Sequence, residues 1–312
     1  MIERKLLLGD EAIALGAIHA GISGVYAYPG TPSTEITEFI QGHAPEVRSR
    51  WCTNEKTAME AALGMAYAGK RALVCMKHVG MNVAADAFVN SAITGVNGGL
   101  VVLAADDPSM HSSQNEQDSR FYGKFAMIPI LEPSTQQEAY DMMAYAYQLS
   151  EETKLPVLMR VVTRLAHSRA GVVVREPLAQ NGLNPETDRT HWVLLPANAR
   201  RQYASLVGKQ GDLLASSEAS PYNKSDIKTW SHRLWYRLQL CDGKPSARVG
   251  HPRVEGIAIS VARKCHQGVG FSMRCFAHSR RWSTIGGRAS EVLPGCRLSV
   301  EGSLDGRFAP YG

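Results

Sequence analysis

Residues 50–82 read RWCTNEKTAMEAALGMAYAGKRALVCMKHVGMN, and the fold class turns on this stretch. Trp51, Cys52 and Thr53 form a short β-prone run, and Asn54 is a good helix N-cap. Ala58, Ala61, Ala62, Met65 and Ala66 then recur at helical spacing. Gly69 ends the helix, and Ala72 to Met76 is a continuous apolar run of the kind buried in a parallel sheet. The stretch is a β-α-β unit with one carboxylate, Glu55, at the seam between its first strand and its helix. Two readings of Glu55 stay open at this level. It can simply favour the positive end of its own helix, or it can face the crevice at the carboxyl ends of the strands, where such sheets bind ligands.

Working outward, the pattern repeats. Toward the N-terminus, Leu6 to Gly9 with Asp10 and Glu11 opens an Ala-, Leu- and Ile-rich helix, and Val25 to Tyr28 is a strand. It runs into Pro29-Gly30-Thr31-Pro32-Ser33-Thr34-Glu35, where Thr31 is expected to cap a helix and Pro32 to occupy its first position. Toward the C-terminus, Lys77 to Asn82 reads as a polar turn and Val83 to Ile93 as a helix. Leu100 to Ala105 is the next strand, and Asp106-Asp107-Pro108 breaks it. A long polar loop follows, Ser109 to Lys124, and loops of that length inside a compact domain tend to carry function. Ile128 to Leu131, a helix over Gln137 to Leu149, and Pro156 to Val162 complete six strands alternating with helices. The expectation is an α/β fold with a doubly wound, largely parallel sheet.

Bulk properties narrow the function classes. A 312-residue chain with 44% hydrophobic and 20% charged residues is globular. Met1 to Lys5 is too polar to begin a signal peptide and no run approaches the ~20 apolar residues of a membrane span, so a cytoplasmic setting is expected. None of the six cysteines falls in a CxxC pair, which argues against zinc or iron-sulfur ligation. No GxGxxG follows a strand, and GxxxxGK[ST] is absent. His78 and His111 each lie just past a strand end, but nothing around them suggests a metal site.

Four stretches together resemble a known family: YPGTPSTEI (28–36), NEKTAMEAALGMAYAGKRALV (54–74), MKHVGMNVAAD (76–86) and GGLVVLAADDPSMHSSQNEQDSR (98–120). They are similar, in the same order, to the catalytic alpha subunit of the indolepyruvate ferredoxin oxidoreductases, within the thiamine-diphosphate-dependent 2-oxoacid:ferredoxin oxidoreductases. The resemblance covers about residues 6–223. It implies a pyrimidine-binding domain over 1–165 and a linker region over 166–225 leading to a next domain. It places the family's catalytic glutamate on Glu55, whose carboxylate would touch the aminopyrimidine ring nitrogen and share a proton there. Thr31 falls where relatives present a hydroxyl to the substrate carboxylate, with Ser33 its neighbour. Lys77, expected to help bind cofactor, and His78, Ser113 and Gln114, expected to bind substrate, lie in loops that would close over the same crevice. No arginine in Ala104 to Pro108 matches the one that pyruvate-specific relatives place near their substrate, which fits an arylpyruvate. Coenzyme A, ferredoxin, a beta subunit and dimerisation come with the resemblance, and neither nucleic acid nor membrane does. Rival readings are a pyruvate or other 2-oxoacid oxidoreductase and a non-catalytic α/β binding module.

Beyond Asn223 the resemblance stops. The family's diphosphate-binding domain, with its Mg²⁺ motif, and its cysteine-rich [4Fe-4S] segment are expected to follow, and their ligands are not found in this chain. Instead, residues 226–312 hold 14 basic against 6 acidic residues, whereas residues 1–225 hold 20 against 23. With suitable codons, HRLWYRLQLCDG (232–243) read one base later gives IASGIAYNYVM, the family's next motif. Residues 226–312 are therefore expected to be an out-of-frame, poorly packed tail whose charge is an accident of reading frame, and the chain alone is expected to be inactive. The other reading is a genuine basic second domain.

Overall fold

A computed structural model describes residues 3–223, and the expectations for residues 226–312 lie outside the described residues. Six parallel strands form one sheet: β2 (Gly24–Ala27), β3 (Arg48–Trp51), β4 (Ala72–Lys77), β5 (Leu100–Asp106), β6 (Ile130–Leu131) and β7 (Val157–Val162). Their order is β3-β2-β4-β5-β7-β6, with every neighbouring pair parallel. The chain thus winds outward from β2 to the β3 edge, returns, and continues from β4 to the other edge. That reversal puts a topological switch point between β2 and β4.

The apolar runs become central strands because both faces of the sheet are covered, and period-2 alternation sorts their side chains between the faces. Leu73 and Cys75 of β4 pack with Val101 and Leu103 of β5 against α1 (Gly9–His19), α2 (Thr34–His43) and α6 (Gln136–Thr153). Val74, Met76, Val102 and Ala104 face the other way, onto α3 (Glu55–Tyr67) and α4 (His78–Thr94). All eight of these strand side chains are fully buried.

Four local expectations are corrected. Arg4–Leu8 is a strand, β1, and not a helix opening: it pairs antiparallel with β8 (Arg169–Val173), a partner no local pattern reveals. Helix α1 then starts at Gly9, where the Glu11 carboxylate accepts the Leu8 N–H at 2.8 Å. Helix α2 starts at Thr34, not Pro32, because the preceding turn closes on itself: the Ser33 hydroxyl donates to Gly30 O and the Gly30 N–H donates to Thr34 Oγ1, each at 2.9 Å. Lys77 to Asn82 is not a turn, since α4 begins directly at His78 with Lys77 as its N-cap. The loop after β5 ends at Ser119, where α5 (Arg120–Ala126) begins with Asp118 accepting both the Arg120 N–H and its guanidinium.

Part of the segment expected to be a linker is built into this same unit. Besides β8, Asn184 N–H donates to Ala68 O at 2.9 Å, and Asn181 joins the Arg71–Glu151 pair with a 2.7 Å bond to Glu151. Leu206, on the helix Pro196–Gly208, is buried with the α4 face. Among the described residues, no helix is long and apolar enough to cross a membrane.

Candidate active site at the switch point

The loop after β2 and the start of α4 meet in the switch-point crevice. Gly30 packs on Lys77 so closely that a Cβ at residue 30 would stand 3.3 Å from the Lys77 Cβ. On the far side of β2, Glu55 occupies the first position of α3, fixed by Asn54, whose side chain accepts the Thr57 N–H at 2.9 Å. The Glu55 side chain lies against the first turn of α4. A Cβ on Gly80 would sit 2.7 Å from both its Cγ and its Oε1. The half-buried Glu55 carboxylate takes no hydrogen bond from any of the described residues. It is therefore an acid held at a helix N-terminus beside a crevice, with its bonding capacity unspent.

A roof for the crevice is formed by residues 107–119. The Lys77 ammonium donates to Ser112 O at 2.5 Å, and the wholly buried His78 donates from Nε2 to Asn115 O at 3.1 Å. Nε2 therefore carries a proton, and His78 Nδ1 is buried with no hydrogen-bond partner among the described residues. Asp107 organises the near end of the roof, accepting from the Ser112 N–H, the Ser113 hydroxyl and the Thr163 hydroxyl at 2.8, 2.6 and 2.9 Å. Burial alone would raise its pKa. The bonds from Ser113, Ser112, Thr163 and the His111 N–H outweigh burial and hold it at about 2.

The residues singled out from sequence separate into groups. Glu55, Lys77 and His78 gather around the start of α4. Ser33 is buried with its hydroxyl committed to Gly30 O, and Ser113 is committed to Asp107. Thr31 is exposed on the β2 loop, and Gln114 is exposed on the roof. Sequence reading passed over Gly80 and Asp107. The glycine in a polar strand-end segment was the available signal for the first, and the adjacent acids Asp106-Asp107 for the second.

Gly80→Ala gives the most direct check of this geometry. The added methyl displaces the Glu55 side chain, while better helix propensity offsets crowding, so stability should change by no more than about 1 kcal/mol. If turnover depends on Glu55, its displacement by about 1 Å should cost roughly 10²-fold in rate. Urea denaturation together with turnover in an active assembly would show whether the two effects separate in this way.

A parallel sheet with Glu55 beside its switch point belongs to the α/β domains that bind ligands at the carboxyl ends of their strands, and comparison with known proteins points to thiamine diphosphate. The chain belongs to the family described as pyruvate flavodoxin/ferredoxin oxidoreductase, thiamine diP-bdg, whose model matches residues 15–193. Among curated relatives, it is 46% identical over 238 residues to the indolepyruvate oxidoreductase subunit IorA of Thermococcus kodakarensis, a match covering 72% of this chain and 37% of that one. It is 53% identical over 176 residues to the Pyrococcus abyssi IorA, covering 56% and 27%. The 2-oxoglutarate synthase subunit KorA of Methanothermobacter thermautotrophicus is more distant, at 28% over 185 residues, covering 56% and 48%. The chain thus spans little more than a third of the length of the first of these relatives. A solved 2-oxoglutarate:ferredoxin oxidoreductase from Magnetococcus marinus shares the fold, with a TM-score of 0.55 at 18% identity over 72% of this chain and 46% of that one.

The residues present fit the pyrimidine half of thiamine diphosphate. Glu55 offers a carboxylate without a partner among the described residues, and Gly80 is the residue type that leaves room for it against α4.

Proposed function

We propose that residues 1–165 form the pyrimidine-binding domain of an enzyme that oxidatively decarboxylates indolepyruvate or a related arylpyruvate to an acyl-CoA, with ferredoxin as electron acceptor. The observation that carries this reading is the unspent Glu55 carboxylate, held against Gly80 at the switch point. Similarity of 46% and 53% to subunits named for indolepyruvate supports the substrate class. When bound, thiamine diphosphate supplies the carbon nucleophile for the keto group and the electron sink for loss of CO₂.

On this reading Glu55 holds a proton at its carboxyl group against the aminopyrimidine ring nitrogen. Thr31 presents its exposed hydroxyl to the substrate carboxylate. Lys77 and His78, through Ser112 and Asn115, hold the roof that excludes water from the crevice, and the exposed Gln114 offers its amide to the substrate. Ser33 and Ser113 act one step back, by holding the β2 turn and Asp107. Mg²⁺, [4Fe-4S] clusters, the coenzyme A and ferredoxin contacts, a beta subunit and a dimer interface belong to the wider assembly, in a cytoplasmic setting.

A chimera tests the reading, with residues 1–223 of this chain replacing their counterpart in the Thermococcus kodakarensis subunit and its companion subunit co-produced. It should reduce ferredoxin with indolepyruvate or phenylpyruvate at least about tenfold faster than with pyruvate, as expected when a pocket is shaped for one side chain. A pyruvate preference would sink the substrate assignment. A folded chimera that binds the cofactor and turns nothing over would favour a binding module instead.

A further inference from the structure

A second polar cluster lies at the same end of the sheet, among the elements covering the face away from α3 and α4. Asp10 is on the first turn of α1, Glu35 on the first turn of α2, and His167 follows α7 (Thr163–Ala166). One potential ligand atom from each lies within 4.8 Å of the others. His167 Nε2 stands 3.9 Å from Asp10 Oδ2 and 3.7 Å from Glu35 Oε1.

Acids on helix first turns are ordinary, and the dipole alone would account for exposed ones. Asp10 is different. Its side chain is fully buried, and neither carboxylate oxygen has a hydrogen-bond partner among the described residues. Glu35 adds a third buried oxygen without a partner among the described residues, Oε2. Burial first, then the charges of Glu35 and Glu11, pushes the Asp10 carboxyl well above the usual range. A cation seated between the three side chains removes both penalties.

The backbone holds these groups together. Leu8 and Arg169 are register partners in the β1–β8 pair, so the residues beside them are tied across the two strands. The Gly9 N–H donates to Ser168 O at 3.1 Å. A Cβ at residue 9 would lie 2.1 Å from Leu165 O, so only glycine lets the start of α1 close on α7. Two independent chain segments thus present Asp10 and His167 to each other by main-chain contacts.

We propose that Asp10, Glu35 and His167 form a site for a divalent transition-metal ion, Zn²⁺ in the first instance, separate from the Glu55 crevice. Two carboxylates and one imidazole suit Zn²⁺, Co²⁺ or Mn²⁺, whereas the imidazole disfavours Mg²⁺ and Ca²⁺ and the hard oxygens disfavour Cu(I). Bonds of ~2.1 Å hold neighbouring ligand atoms about 3 to 3.5 Å apart, so the two His167 separations close by roughly half an ångström and the carboxylate pair, within 4.8 Å, by at most about 1.5 Å. Glu35 and His167 are half-exposed and can make that shift, and they leave a path from solvent.

The test uses the metal-depleted 312-residue chain titrated with Co²⁺, followed by its visible absorption, and then with Zn²⁺ as competitor. One equivalent should bind, and saturating Zn²⁺ should raise Tm. Glu35→Gln and His167→Gln each replace a half-exposed side chain, so both variants should keep the wild-type far-UV circular dichroism. Each should weaken binding beyond the roughly 10–100-fold that loss of an outer-shell partner costs, and each should abolish the Tm shift. Absence of saturable binding overturns the proposal, and so does binding that both variants retain, since the ion is then held elsewhere.

Discussion

Glu55→Gln, introduced into the active chimera, is expected to lower kcat by roughly 10²–10⁴-fold, the range over which a positioned proton-transfer group contributes. Glutamine keeps the shape that packs on Gly80, so the first turn of α4 is undisturbed. It replaces the ionisable carboxyl group with a neutral amide that cannot take up and release the proton. Because the native carboxylate takes no hydrogen bond from the described residues, no buried partner is orphaned, and the urea midpoint should barely move. Single-turnover kinetics would separate chemistry from binding. A fall in kcat with stability and cofactor affinity intact assigns Glu55 to the proton. A fall confined to cofactor affinity would leave it a binding residue, and an unchanged kcat would remove it from the mechanism.

How much of this was legible in the sequence depended on how local the determining physics is. β4 and β5 read clearly because a strand buried on both faces needs a continuous apolar run, and Ala72 to Met76 and Leu100 to Ala105 supply one. Glu55 read clearly as the start of a helix because Asn54 caps it through a bond three residues away. β1 did not, since three of its five residues are exposed and its partner is β8, far along the chain. The start of α4 was hidden for another reason. Lys77 makes no side-chain cap, and Gly80 in the first turn resembles a breaker. What that glycine answers to is Glu55, on a different helix. The candidate site was therefore half readable, with its acid visible and its supporting wall invisible until two helices were brought together.

The roof over the site rests on a buried ion pair, and breaking it should give the largest stability loss. Arg160 of β7 donates from Nε to Asp106 Oδ2 at 2.5 Å, and its guanidinium also reaches Glu132. Asp106 ends β5, is fully buried, and also accepts the Ser119 N–H at 3.1 Å and the Ser119 hydroxyl. Asp106 therefore joins the sheet to the far end of the roof, while Asp107 beside it holds the near end. Arg160→Met fills similar volume but leaves the Asp106 carboxylate buried with Ser119 alone. Removing one partner of a buried pair costs about 3–5 kcal/mol, because an uncompensated charge stays behind. The double change Asp106→Leu with Arg160→Met removes both charges and should recover much of that loss, less the bonds forfeited at Ser119. Equilibrium urea unfolding of the wild type, both single variants and the double variant closes the cycle. A loss under about 1 kcal/mol would mean that solvent already compensates the Asp106 carboxylate in Arg160→Met, or that Glu132 already compensates the guanidinium in Asp106→Leu. If the loss has the expected size, hydrogen exchange at Ser112 and Asn115 should quicken in Arg160→Met more than in the strands of the core, because the roof loses its anchor before the sheet does.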